Sequence, residues 1–303
     1  MMQETEVLVE DVTNAEGPVL LPDGRIVYTD TYRGLLNAWT EGGGETIWAK
    51  PGGYPNGATL GDDGYVYVAN NGGVLGGLRS YDTRPGSIQR VREGERPETV
   101  ATVVDGRRLN RPNDLAFGPD GRLYFTDPGL WNPEGRDPGY IYVLDADGSG
   151  ETFLETTGYP NGIAVAADGS VLWVESFTGR LVRRTPGGAD DVLHVFEPGH
   201  MPDGIAIAAN GDIYVATLLS GGLHVVRADG SGADFIELGT VLTNCAFRGT
   251  ELVLTDGGPG RENHEGHSYW GSGRLLRLPV GIGGAPVWTG SINAHDQAPG
   301  TEI

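Results

Sequence analysis

The sequence predicts an all-β fold: a six-bladed β-propeller with four-stranded antiparallel blades. Three observations carry the prediction: one hairpin motif recurs six times, two further short strands follow most copies, and capped helix-period segments are essentially absent. Aligned on their first polar residue, the copies read "EGPVLLPDGRIVYTD" from Glu16, "NGATLGDDGYVYVAN" from Asn56, "NDLAFGPDGRLYFTD" from Asn113, "NGIAVAADGSVLWVE" from Asn161, "DGIAIAANGDIYVAT" from Asp203 and "NCAFRGTELVLTD" from Asn244. Each is an apolar strand, a polar-Gly pair, and a second strand rich in aromatic and β-branched residues. In the first five copies the residue eight positions after the leading one is glycine (Gly24, Gly64, Gly121, Gly169, Gly211). Glycine there supplies the positive φ that a tight turn needs. The sixth copy is two residues shorter, with "RGT" at its turn.

The outer strands follow in order: "LLNAW" and "ETIWA", "GLRSYD" and "PETVATVV", "YIYVLDA" and "GETFLET", "RLVRRT" and "DVLHVFE", "GLHVVRA" and "ADFIEL", and "RLLRLPV". The repeat length of 40 to 57 residues suits a propeller blade. The sixth blade lacks one strand, and "TEVLVEDV" near the N-terminus is expected to supply it and close the ring. One propeller domain over residues 1–303 is expected, because Gly and Pro are spread evenly and no composition shift marks a linker.

Composition narrows the function. A formal net charge of -20 repels phosphate backbones and anionic lipid, which argues against nucleic acid or a membrane as partner. Cys245 is the only cysteine, so no internal disulfide and no thiol pair for zinc can form, as suits a reducing cytoplasm. The N-terminus has no basic or apolar signal region, and no apolar run approaches membrane-spanning length. A small-molecule ligand and a monomer or weak homo-oligomer are expected.

The innermost strand of each blade lines a propeller's channel, so symmetry gathers the six leading residues at one mouth. Glu16, Asn56, Asn113, Asn161, Asp203 and Asn244 all offer oxygen ligands. Carboxylate and amide oxygens suit a hard cation such as Ca2+ better than zinc. Turn preference alone explains Asn and Asp at these positions but not Glu, a poor turn former. Among the histidines, His200 lies three residues before Asp203 and is the candidate base; His264 and His267 sit in the long loop of the sixth blade. His194, His224 and His295 read as structural or exposed. Loops containing Trp131, "NGGVLGG" after Asn70, and Tyr269 with Trp270 are expected to wall the pocket.

These motifs together resemble the gluconolactonase, senescence marker protein and regucalcin-like family of six-bladed propellers, related to diisopropylfluorophosphatase. The resemblance rests on "EGPVLLPDG", "LNRPNDLAFGPDGRLYFTD", "YPNGIAVAADG" and "MPDGIAIAANGDIYVA" and covers essentially the whole chain. It implies that Glu16, Asn161 and Asp203 bind a divalent metal, most readily Ca2+, with Zn2+, Mn2+ or Mg2+ as alternatives. It implies either a metal or a substrate role for Asn113, a substrate contact for Arg111, and a role beside them for Asp114. Asn56, placed on the ring by the repeat, is expected to contact substrate. The implied activity is metal-dependent hydrolysis of a small lactone or ester, with Asp203 as base or as nucleophile. Phosphotriester hydrolysis or a pathway-specific tailoring step on the same site, and a non-enzymatic calcium-binding propeller, are the alternatives.

Overall fold

The computed structural model describes residues 5–75, 78–80, 82–262 and 268–294. Its strands form six four-stranded antiparallel sheets, each running from an inner strand outwards, and no helix occurs among the described residues. The inner strands are Ala15–Leu20, Pro55–Leu60, Leu115–Phe117, Pro160–Val165, Pro202–Ile207 and Leu242–Arg248, one for each of blades 1 to 6. The ring closes as expected. Glu6–Val12 pairs with Gly273–Pro279 as the outermost strand of blade 6, with Glu6 opposite and ion-paired to Arg277 at 2.5 Å.

The hairpin turns follow from the repeat. All five turn glycines have positive φ, between 76° and 89°. At Gly169 the turn is closed by its N–H on the Ala166 carbonyl at 3.0 Å and by the Ser170 N–H on the Asp168 carboxylate at 2.9 Å. In blade 6, Arg248 pairs with Glu251, leaving Gly249 and Thr250 as the whole turn.

The core is distributed rather than central. Each of six apolar clusters fills the wedge between two neighbouring blades. Trp173, fully buried between blades 3 and 4, is the largest such side chain. Burial of this kind stabilises by roughly 25 cal/mol per Å² of apolar surface. It also fixes the angle between adjacent sheets, and so the spacing of the inner strands around the channel.

One sequence reading needs correction here. "GLRSYD" is not the third strand of blade 2: Leu78–Arg79 makes only a two-residue ladder with Val74–Leu75, and Ser87–Val91 pairs with Val66–Asn70 instead. The alternation of Ile88 and Val91 with Gln89 and Arg90 was too polar to stand out beside the preceding apolar run. The residues after the closing strand lie outside the repeat. They form a strap across the lower mouth: Ala285 N–H donates to the Ile207 carbonyl, Trp288 Nε1 to the Val165 carbonyl, and Ile292 N–H to the Tyr67 hydroxyl, at 2.8, 3.1 and 2.9 Å.

Candidate active site at the upper mouth

In blades 1, 2, 4 and 5 the leading residue lies at a bulge where the inner strand enters the sheet, while Asn113 of blade 3 lies just before its strand. Pro160 faces Glu175 and Ile163 faces Trp173, so Asn161 and Gly162 together oppose the single residue Val174. The same irregularity recurs at Glu16, Asn56 and Asp203. Glu16, Asn56, Asn113, Asn161 and Asp203 therefore converge on one cavity of about 330 Å3.

Asn244 does not join them. In blade 6 the register pairs Leu242 with Asp256 and Cys245 with Leu254, which makes Thr243 the equivalent of Asn161 and Asn244 the equivalent of Gly162. Thr243 lines the cavity, and its hydroxyl donates to the Ala15 carbonyl at 2.6 Å. The short turn of the sixth copy had displaced the sequence alignment by one residue.

That next position forms a separate layer. It is glycine in four blades (Gly17, Gly57, Gly162, Gly204), Asp114 in blade 3 and Asn244 in blade 6. A Cβ at Gly162 would lie 2.2 Å from the Asp203 carbonyl oxygen, and one at Gly57 would lie 2.2 Å from the Asp114 carboxylate, so the packing excludes side chains at both. The two side chains that do occupy the layer meet across the channel, Asn244 Nδ2 to Asp114 Oδ2 at 3.4 Å. Asp114 therefore lies beneath the cavity and is not one of its lining residues. A direct contact with substrate does not fit this placement, and the charge of Asp114 raises Glu16 and Asp203 instead of pairing with them.

Acidic residues here fall into two series. Those ending the second strands are satisfied: Asp30 pairs with Arg33, Glu175 with Arg180 and Asp256 with Arg274, at 2.9, 2.5 and 2.6 Å, while Asp127 accepts the N–H groups of Asn110 and Arg111. They brace the loops at the mouth. Glu16, Asp114 and Asp203 are buried and have no cationic partner among the described residues. Burial, and then the charge of Asp114, push the Glu16 carboxyl up to about 8. Burial followed by Glu16 and Asp114 raises Asp203 well above the usual carboxylate range, and burial raises Asp114 to about 6. Three mutually repelling buried carboxylates without a counter-charge are costly unless a cation is present.

The donor chemistry fits a hard divalent ion. Asn161 Nδ2 donates to the Ser176 hydroxyl at 3.1 Å, leaving its amide oxygen free for the ring. With Asn113, Glu16 and Asp203 the donor set is all oxygen.

Above the ring, a second tier comes from the residues two positions before the leading ones. Asn14, Arg111, Tyr159 and Met201 line the cavity, and in blade 2 the equivalent Tyr54 is buried. Five blades repeat one bond here: the residue after the second strand donates its N–H to this position, as Thr31 to Asn14, Ser176 to Tyr159 and Leu218 to Met201, whereas blade 3 has Pro128 there and no N–H to give. Of this tier only Arg111 was found from sequence, although the fixed offset from the repeat was available to find the rest. Trp131 and Asn71 also line the cavity, as expected of their loops.

His200 is elsewhere. Its Nδ1 lies 2.9 Å from His224 Nε2 and its ring packs on Phe235, outside the cavity wall. Burial, with His200 and His194 adding to it, lowers His224 to about 4. This pair belongs to the outer part of blade 5, and proximity in sequence to Asp203 misled because the intervening Met201 turns the chain into the channel. His264, His267 and His295 lie outside the described residues, as do the side chains of Tyr269 and Trp270.

Residues 14–255 match the SMP-30/gluconolactonase/LRE-like region, and this span contains every ring residue just described. The chain belongs to that family. Among curated members it is 29% identical to a gluconolactonase of Zymomonas mobilis, the match covering 82% of this chain and 78% of the other. It is 27% identical to pentonolactonase XacC of Haloferax volcanii, over 96% and 99% of the two chains. A luciferin-regenerating enzyme shares the fold with a TM-score of 0.77 at 20% identity, covering 96% and 100%. A calcium-binding regucalcin of Agrobacterium tumefaciens does so at 0.73 and 20%, covering 96% and 97%.

Proposed function

We propose that this member of the family is a divalent-metal-dependent hydrolase of a small lactone, with Glu16, Asn113, Asn161 and Asp203 as the metal ligands. The observation that carries the reading is the unpaired state of Glu16 and Asp203 beside a series of acids that all find partners. The lactonase names of its curated relatives support the reaction type. The buried free Cys245 suits the cytoplasm, and no helix among the described residues is long and apolar enough to cross a membrane.

Lactone hydrolysis adds water across the acyl C–O bond: hydroxide joins the carbonyl carbon, the ring oxygen leaves with a proton, and a hydroxy acid is released. A bound cation supplies Lewis acidity towards the carbonyl and lowers the pKa of water. The chain's own contribution is positional. Asp203, at the base of the cavity, accepts the proton from the attacking water. Arg111, half-buried in the wall with its Nε unpartnered, faces the substrate with a fixed positive charge. Asn56 completes the polar side of the cavity. Asn244 hydrogen-bonds Glu16 and Asp114 from below. Asp203→Asn should retain the fold and abolish turnover of glucono-δ-lactone above background. Full turnover by that variant, or by the chelator-stripped chain, would overturn the proposal.

A further inference from the structure

The cavity wall above the ring is chemically divided. Over blades 1 to 3 it is mainly polar: Asn14, whose buried Oδ1 has no partner, Asn71 and Arg111, with the ring of Tyr32 among them. From the blade 3 loop to blade 5 it is apolar: Trp131, Met201, Leu218 and Leu219. Tyr159 adds its ring to that side, and Trp131 is set edge-on against both Tyr159 and Phe177, at 4.9 and 5.0 Å between centroids. Leu219 is 59% and Trp131 38% exposed, so large apolar side chains stand open to water at the rim of an otherwise polar mouth.

A fully hydroxylated sugar lactone would bury hydroxyls against this second half with few groups to receive them, the phenol of Tyr159 being the main exception. Unpaired buried hydroxyls weaken binding. We infer that the preferred substrate, within the lactonase reading above on which this rests, is a lactone with an apolar alkyl or aryl substituent. Its ester edge lies towards Arg111 and its substituent lies against Leu218, Leu219, Met201 and Trp131. These four are specificity-determining residues and take no part in the bond changes.

Two δ-lactones with the same ring separate the possibilities: glucono-δ-lactone and δ-nonalactone. The expected result is a kcat/KM at least about 100-fold higher for δ-nonalactone, since each methylene in an apolar pocket is worth roughly tenfold or more. Leu219→Asn, at an exposed position, should raise KM for δ-nonalactone about tenfold with kcat held, and Met201→Gln should act in the same direction. Calorimetry with the non-hydrolysable lactams of the two compounds reads binding apart from chemistry. Equal or better turnover of glucono-δ-lactone would overturn the inference and leave the lactonase reading standing. Tighter binding of the alkyl lactam with no turnover of either lactone would uphold the divided pocket and overturn the lactonase reading.

Discussion

The two ends of the channel are built from the same six strands and differ in almost every other respect. Above the layer of Asp114 and Asn244, the bulged strand entries present carboxylates and amides with unmet charge. Below it, a cavity of about 300 Å3 is lined by residues such as Val19, Leu60, Phe117, Ile163 and Ile205 and is covered by the strap around Trp288. The layer needs glycine in four blades to fit at all, and the two side chains it admits close the channel between the ends. The comparison teaches that symmetry supplies positions and departures from it supply chemistry. Carboxylates appear on the ring in only two blades, and in the tier above only tyrosine, at Tyr54 and Tyr159, occurs twice.

This contrast can be broken from either end. The largest expected effect is at the upper mouth, where Asp203→Asn should lower kcat by about 10²- to 10⁴-fold, as loss of a general base does. Its melting temperature in chelator should be equal to or above that of the parent, because Asn needs no proton to be uncharged at this buried position.

Asn244→Ala, in the dividing layer, removes the amide that hydrogen-bonds Asp114 and Glu16. Groups that support metal ligands typically contribute 10- to 100-fold in affinity, so calorimetry should show Ca2+ binding weakened within that range. Unchanged affinity would mean that the layer acts only as a plug.

At the lower end, Trp288→Ala should cost stability, about 2–3 kcal/mol for a partly buried Trp. Thermal melting should show a drop of several degrees, while kcat/KM stays within twofold of the parent. A large loss of activity would join the two ends functionally and undo the separation.

The smallest effect concerns pH in the metal-free chain. Glu16 and Asp114 are raised in the folded state above their ordinary values of 4.5 and 3.8, to about 8 and about 6. The folded chain then holds protons that the unfolded chain releases, so this contribution to stability is full below about pH 4 and is lost as pH rises to about 8. Melting of the chelated protein at pH 5 and pH 8 should show the lower value at pH 8. Added Ca2+ should narrow the gap.

The fold was legible because the hairpin motif repeats, and five turn glycines fixed the register of five blades. The sixth blade's shorter turn removed that reference, and its alignment slipped by one residue from Thr243 to Asn244. The ring of oxygen-bearing side chains was legible for the same reason as the fold, being a repeat position. What sits above the ring depends on loops with no period, such as those carrying Trp131, Leu218 and Leu219. The strap of residues 280–294 has no counterpart in the repeat, and its pattern of glycine, proline and single apolar residues gives no strand signal. His200 shows the reverse error: nearness to Asp203 in the chain was read as nearness in space, across a bend that separates them.

The central claim is that the unpaired carboxylates at the upper mouth exist to hold a cation. Calorimetric titration of the chelator-stripped chain with Ca2+, beside Glu16→Gln and Asp203→Asn, tests it most directly. One ion should bind per chain, and either substitution should remove most of the affinity while the variants still melt cooperatively. Absence of binding by the parent, or binding that both variants retain, would contradict the account.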